Sequence, residues 1–139
     1  MLINAGINVQ IYGPYWNYFI RGSNVHRGVY GIEAVKLFNT SKIILNFHAN
    51  RGYGPNMRVF EATGSGGFLI TDDAEDVKDF FRINREVAVF NDEKELLSQI
   101  GYYLDKEEER IDIAYSGYTE CHAEHTYEKR LKYMLDTVK

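Results

Sequence analysis

Short apolar runs alternate with stretches of helical period along this chain. Val9-Gln10-Ile11-Tyr12 halts at Gly13-Pro14, a strand stopped by a turn pair. Ile43-Ile44-Leu45-Asn46-Phe47, Gly67-Phe68-Leu69-Ile70-Thr71 and Glu86-Val87-Ala88-Val89-Phe90 are continuous apolar runs, the pattern of strands covered on both faces. Between them, residues 31–39 place Ile32, Val35, Leu37 and Phe38 on one helical side. Residues 56–63 carry Val59, Phe60 and Ala62 ahead of Gly64, which is expected to stop that helix. Asp72 or Asp73 is expected to cap a helix through Val77, Phe80 and Phe81, with Glu75 at the capping-box position for Asp72. The clearest helix starts at Asp92, paired with Glu95, and presents Leu96, Leu97, Ile100, Tyr103 and Leu104.

Beyond Leu104 the strands cease. Glu107-Glu108-Glu109-Arg110 reads as a solvated helical turn, and residues 111–124 continue as helix. Thr126 caps a last helix through Val138, whose Tyr127, Leu131, Met134, Leu135 and Val138 share a face that needs a covering surface. Strands alternating with helices predict an α/β fold with a mostly parallel sheet of about four strands and a helical C-terminus. Leu2-Ile3-Asn4-Ala5-Gly6 reads as the end of a helix with a glycine stop, so a strand and most of a helix are expected to precede Met1.

Composition narrows the function classes. The chain has 139 residues, enough for one ordinary domain, and residues 1–139 are read as a single unit. Charged residues make up 26% and hydrophobic residues 45%, which argues against disorder. A net charge of -4 argues against a nucleic-acid partner. The apolar runs are too short for a transmembrane segment, no signal peptide opens the chain, and Cys121 is a lone cysteine, so a cytoplasmic setting is expected.

Candidate chemistry gathers after the second apolar run, because ligands of open α/β sheets bind beyond the carboxyl ends of the strands. There His48 leads into Ala49-Asn50-Arg51-Gly52-Tyr53-Gly54-Pro55-Asn56, and a helix bearing Met57, Arg58 and Glu61 follows. The glycines admit a close ligand, the helix start offers N–H groups to an anion, and Arg51 and Arg58 add positive charge. Glu61 is placed to accept hydrogen bonds from sugar hydroxyls. Gly64-Ser65-Gly66-Gly67 then returns the backbone to the sheet. On composition and spacing alone, ordinary loop chemistry and an i, i+3 surface pair of Arg58 with Glu61 are the stronger reading of the same residues. His48 stands at a strand end, where a structural histidine is as good a reading as a functional one.

Three separated segments resemble one family. Asn56-Met57-Arg58-Val59-Phe60-Glu61-Ala62 with Gly66-Gly67-Phe68-Leu69-Ile70-Thr71-Asp72 resembles the C-terminal domain of GT-B glycosyltransferases, of the group 1 type found in CgeB-like spore maturation proteins. Residues 31–43 resemble the helix before that family's central strand, and residues 123–131 its closing segment. The resemblance implies a Rossmann-like three-layer domain that binds a nucleotide-diphospho-sugar donor for transfer to an acceptor, with no metal and no cofactor. It implies that Glu61 holds the ribose, that the turn from Gly54 through Asn56 to Met57 meets the diphosphate, and that Gly66 and Gly67 keep the donor pocket open. The segment with Arg27 and Gly28 would lie along the base. Where many retaining members carry two glutamates separated by seven residues, the earlier position here is Tyr53. The family's first strand and its N-terminal acceptor domain are not represented, so this chain alone is expected to be inactive. The alternatives are a nucleotide- or phosphate-binding module without transferase activity, and a structural or interaction domain whose aromatic patch and last helix dock onto a partner. A homo-oligomer formed through that same surface and helix is a further expectation.

Two further features invite chemistry. Cys121, His122 and His125 form C-H-x-x-H, but a zinc site ordinarily needs two separated ligand pairs. Pro14-Tyr15-Trp16-Asn17-Tyr18-Phe19-Ile20 is dense in aromatic rings and reads as a hydrophobic lid or core wedge ahead of a stacking platform.

Overall fold

The computed structural model describes residues 1–48, 54–72 and 76–138. It is a Rossmann-like α/β arrangement that divides into two units, Met1–Lys36 and Leu37–Lys139. Every strand pairing among the described residues is parallel.

In the first unit, β1 (Ile11–Tyr12) pairs with β2 (Val25–His26), Ile11 opposite Val25 and Tyr12 opposite His26. The pattern of apolar residues did not announce β2, because two residues make too short a run. Gly6 does take the left-handed conformation of a stop, but what it ends is a single 3-10 turn, Ile3–Ala5. The aromatic cluster forms another such turn, Trp16–Tyr18, preceded by Tyr15 at φ 72°. Tyr15, Trp16, Tyr18 and Phe19 are exposed, so the core-wedge expectation does not hold. His26 stacks on Tyr12 with ring centroids 4.6 Å apart, and its Nε2 meets Gln10 Oε1 at 2.7 Å.

Helix α1 (Ile32–Thr40) leads from the first unit into the second. The second unit is a sheet in the order β3 (Ile44–Asn46), β4 (Leu69–Asp72), β5 (Ala88–Phe90). The crossovers are α2 (Met57–Gly64) and α3 (Val77–Phe80). All four residues of β4 and all three of β5 are buried, as continuous apolar runs require. Helices α4 (Glu93–Asp105), α5 (Glu107–Glu124) and α6 (Tyr127–Thr137) complete the chain. Asp92 caps α4 as predicted, accepting from the Lys94 and Glu95 amides at 2.9 Å, while Glu95 reaches one residue past the cap to the Asn91 amide at 2.8 Å.

Several expectations need correction. Gly64 lies inside α2, and the stop is Gly66 at φ 81°. The Gly66 amide bonds Thr63 O at 2.9 Å and the Gly67 amide bonds Ala62 O at 3.0 Å, the paired bonds of a Schellman motif. Asp72 is the buried last residue of β4, and the N-cap position of α3 is Asp76. Asp73 and Glu75 lie outside the described residues. Arg110 is not solvated: it is buried in α5, and its Nη1 donates to Tyr103 O at 2.5 Å. Turning the guanidinium inward satisfies a carbonyl in the last turn of α4 that the helix itself leaves unpaired.

Helix α5 runs against α2. Cys121 Sγ lies 3.5 Å from Phe60 O, and His122 Nε2 meets Gly64 O at 2.9 Å. Gly117 brings α5 onto the backbone before β5, where a Cβ would stand 2.4 Å from Glu86 O. At the end of α5, His125 Nε2 meets Phe80 O at 2.7 Å, and its ring stands against Phe60, Phe80 and Phe81. Arg130, in the first turn of α6, lies over the Phe60 and Phe80 rings at 4.6 and 5.0 Å. No residue of α6 is buried; Tyr127, Leu131, Tyr133, Met134 and Leu135 are all exposed.

Candidate functional site

The sheet changes character along its own strands. At their beginnings β3 and β4 are apolar, with Ile44 opposite Leu69 and Leu45 opposite Ile70. At their carboxyl ends the next pair is Asn46 and Thr71, joined by a buried Asn46 Nδ2 to Thr71 Oγ1 bond of 3.0 Å. One step further, Asp72 Oδ1 accepts from the His48 backbone amide at 3.0 Å and from His48 Nδ1 at 2.6 Å. The two side chains are 2% and 3% exposed. Burying polar groups here adds nothing that apolar residues would not give the core more cheaply.

Helix α2 begins at the same edge. Asn56 is its N-cap, with Oδ1 accepting from the Arg58 amide at 3.1 Å and Nδ2 donating to Phe47 O at 3.3 Å. One side chain thus fixes the helix start to the residue before His48. The cap and the Asn56 carbonyl take the Arg58 and Val59 amides, so Met57 carries the amide of that turn that Asn56 does not use. Gly54 stands just before the cap at φ 67°, which only glycine adopts without strain. A Cβ there would lie 3.3 Å from Asp76 Oδ2, so this carboxylate also borders the edge.

One turn further along α2, Arg58 Nη1 pairs with Glu61 Oε2 at 3.0 Å, both side chains nearly half exposed. The guanidinium also lies 5.3 Å from the Phe38 ring centroid. Such an exposed pair stabilises the fold by about 0.2–1 kcal/mol, little enough to leave both groups available for a ligand.

Sequence-predicted site residues divide accordingly. His48, Gly54, Asn56, Met57, Arg58 and Glu61 lie together on the β3–α2 connection and the first two turns of α2. Gly66 and Gly67 lie at the other end of that helix, each with a structural reason for glycine. Gly66 supplies the left-handed stop, and a Cβ on Gly67 would collide with Ile44 Cδ1. Arg27 and Gly28 belong to the first unit, just after β2. Arg51 lies outside the described residues. Sequence reasoning missed Asp72 as the partner of His48, and it gave Asp76 no role. Cys121, His122 and His125 each meet a different carbonyl, of Phe60, Gly64 and Phe80, so the C-H-x-x-H segment converges on no common point.

Comparison with known proteins agrees with this architecture. A crystal structure of the C-terminal domain of a glycosyl transferase group 1 family protein (LpcC) from Francisella tularensis superposes with a TM-score of 0.59 at 13% identity. The match covers 75% of this chain and 55% of that one, so this chain spans about half the length of that neighbour. At that identity the likeness speaks for the fold alone. No curated protein matches. A family model described as glycosyl transferase-like matches residues 2–136, nearly the whole sequence, including the sheet edge and both ends of α2. The chain therefore belongs to the glycosyl transferase-like family.

Proposed function

We propose that this chain is the donor-binding domain of a glycosyltransferase, holding a nucleotide-diphospho-sugar at the carboxyl edge of β3 and β4. The observation that carries the reading is the buried polar end of those strands beside the capped start of α2. The Met57 amide and the dipole of α2 attract the diphosphate, and Arg58 adds a positive charge one residue further in. Glu61 accepts from the ribose hydroxyls, with Arg58 holding its carboxylate in place. Arg27 and Gly28 are assigned to the base and Gly66 and Gly67 to the pocket wall on resemblance alone.

In the reaction an acceptor hydroxyl forms a bond to the anomeric carbon while the bond from that carbon to the diphosphate breaks. The electron pair leaves with the nucleoside diphosphate. Helix dipole and guanidinium stabilise the charge that develops there. The acceptor and the catalytic base are assigned to a second, N-terminal domain of the full protein, so the isolated chain is expected to transfer no sugar. The bare face of α6 is assigned to contact with that domain or with a second copy of this chain. Among the described residues no helix is long and apolar enough to cross a membrane, and Cys121 is a free thiol, which supports a cytoplasmic location.

Titration calorimetry with UDP, GDP and their sugars tests the site. Binding of at least one is expected, weakened about tenfold by Glu61→Ala, as for loss of a hydrogen bond to a charged group. Absence of binding by all of them, or an unchanged affinity in the variant, overturns the assignment.

A further inference from the structure

Three buried side-chain atoms among the described residues lack a hydrogen-bond partner, on His48, Gln99 and Arg130, and the first lies at the proposed donor site. His48 Nε2 is buried and has no hydrogen-bond partner among the described residues. Nothing else about the ring is loose: its backbone amide and its Nδ1 both converge on one oxygen of Asp72. A carboxylate oxygen accepts, so a ring hydrogen sits on Nδ1, and Nε2 is the ring nitrogen left for a further partner. Leaving a buried polar atom unmatched is destabilising. A histidine that served only to fill space or to hold Asp72 would not require that cost, because asparagine can make the Nδ1-type bond without the second nitrogen.

Position narrows the missing partner. His48 follows Phe47, whose carbonyl is held by the Asn56 cap, so the ring belongs to the same edge as the start of α2. Every nucleotide-sugar carries hydroxyls on its ribose and on its transferred sugar, and a hydroxyl donates to an imidazole nitrogen.

Resting on the donor-site reading, we infer that His48 is a binding residue for a hydroxyl of the nucleotide-sugar. Its Nε2 accepts the hydroxyl hydrogen, and Asp72 is the positioning residue that fixes the tautomer. The pair makes the site selective for a hydroxylated ligand over inorganic anions, which α2 alone attracts without discrimination.

Two measurements test this. In His48→Asn the side-chain amide keeps the donation to Asp72 and removes the second nitrogen. Calorimetry with UDP, GDP, UDP-glucose, UDP-N-acetylglucosamine and GDP-mannose is expected to show about a tenfold loss, equivalent to about 1.4 kcal/mol. A loss confined to the nucleotide-sugars assigns the hydroxyl to the transferred sugar, and an equal loss for UDP and GDP assigns it to the ribose. Long-range proton–nitrogen spectra of the imidazole rings in the unaltered protein give the second readout. The His48 Nε2 resonance is expected to shift as an accepting nitrogen on ligand addition, with the hydrogen remaining on Nδ1.

Unchanged binding by His48→Asn, or a spectrum in which Nε2 carries the hydrogen in the complex, overturns the inference. If the unaltered protein binds none of the five ligands, the donor-site reading falls and this inference falls with it. Normal binding by both proteins removes His48 alone.

Discussion

Two glycines inside helices, Gly101 in α4 and Gly117 in α5, are expected to answer the same substitution with opposite signs. Replacing glycine by alanine within a helix stabilises it by about 0.5–1 kcal/mol, because the unfolded chain loses conformational freedom. At Gly101 nothing lies within 4 Å of a new Cβ, so that gain is expected undiminished. At Gly117 the Cβ would stand 2.4 Å from the Glu86 carbonyl oxygen and 3.3 Å from its carbonyl carbon. Both are backbone atoms ahead of β5 and cannot rotate aside. Glu86 is held further by its own carboxylate, which accepts from the Arg82 amide and Nε at 2.6 Å each. Relief requires α5 to lift from the sheet, with an overpacking cost of about 1–3 kcal/mol that the helical gain only partly offsets. Gly117→Ala should therefore lose about 1–2 kcal/mol. Urea unfolding followed by circular dichroism measures both, and with a slope of about 1–3 kcal/mol per molar the midpoints should separate clearly. Two variants that shift in the same direction would refute the packing of α5 on Glu86.

Other outcomes follow from single groups. The Asn91 amide and side chain hold the Glu95 carboxyl below the ordinary carboxylate range. Its contribution to stability is therefore present above the ordinary carboxylate pKa and is lost as pH falls through the lower folded value. The difference in melting temperature between the parent and Glu95→Gln should shrink as pH is lowered from neutral towards 3. Burial pushes the Cys121 thiol up, so a thiol reagent near pH 7.5 should modify it much more slowly in the folded protein than in urea. Asn56→Ala should cost about 0.5–2 kcal/mol through loss of the α2 cap, read as a lower urea midpoint.

The sequence made the periodic elements legible and left the partnerships between them hidden. The buried strands and α4 were readable because apolar runs and the Asp92 cap are local signals. Asp72 reads as a helix cap because Asp-x-x-Glu is a local signal, whereas its bond to His48 spans 24 positions. Only the parallel pairing of β3 with β4 brings those two together. Arg110 was misread for a related reason: it follows three glutamates, and nothing local tells a guanidinium to turn inward towards Tyr103 O. Gly64 and Gly66 are two residues apart, and which of them takes the left-handed position depends on where α2 meets the strand. Around the candidate site, the β3–α2 connection was legible from its glycines and arginine–glutamate spacing. Asp76 was not, because its relevance comes from lying beside Gly54.

Arg130 and His125 give α6 an unusual mechanical character. The first turn of the helix is gripped, with a guanidinium over two rings and the preceding imidazole bonded to Phe80 O. The remaining turns bury nothing. A stiff rod clamped at one end and bare along its length is a cantilever, and a load applied near its tip acts on the clamp with the whole rod as lever arm. Here the clamp includes Phe60, the immediate neighbour of Glu61. Whatever body seats against Leu131, Met134 and Leu135 gains a handle on the helix that carries that glutamate.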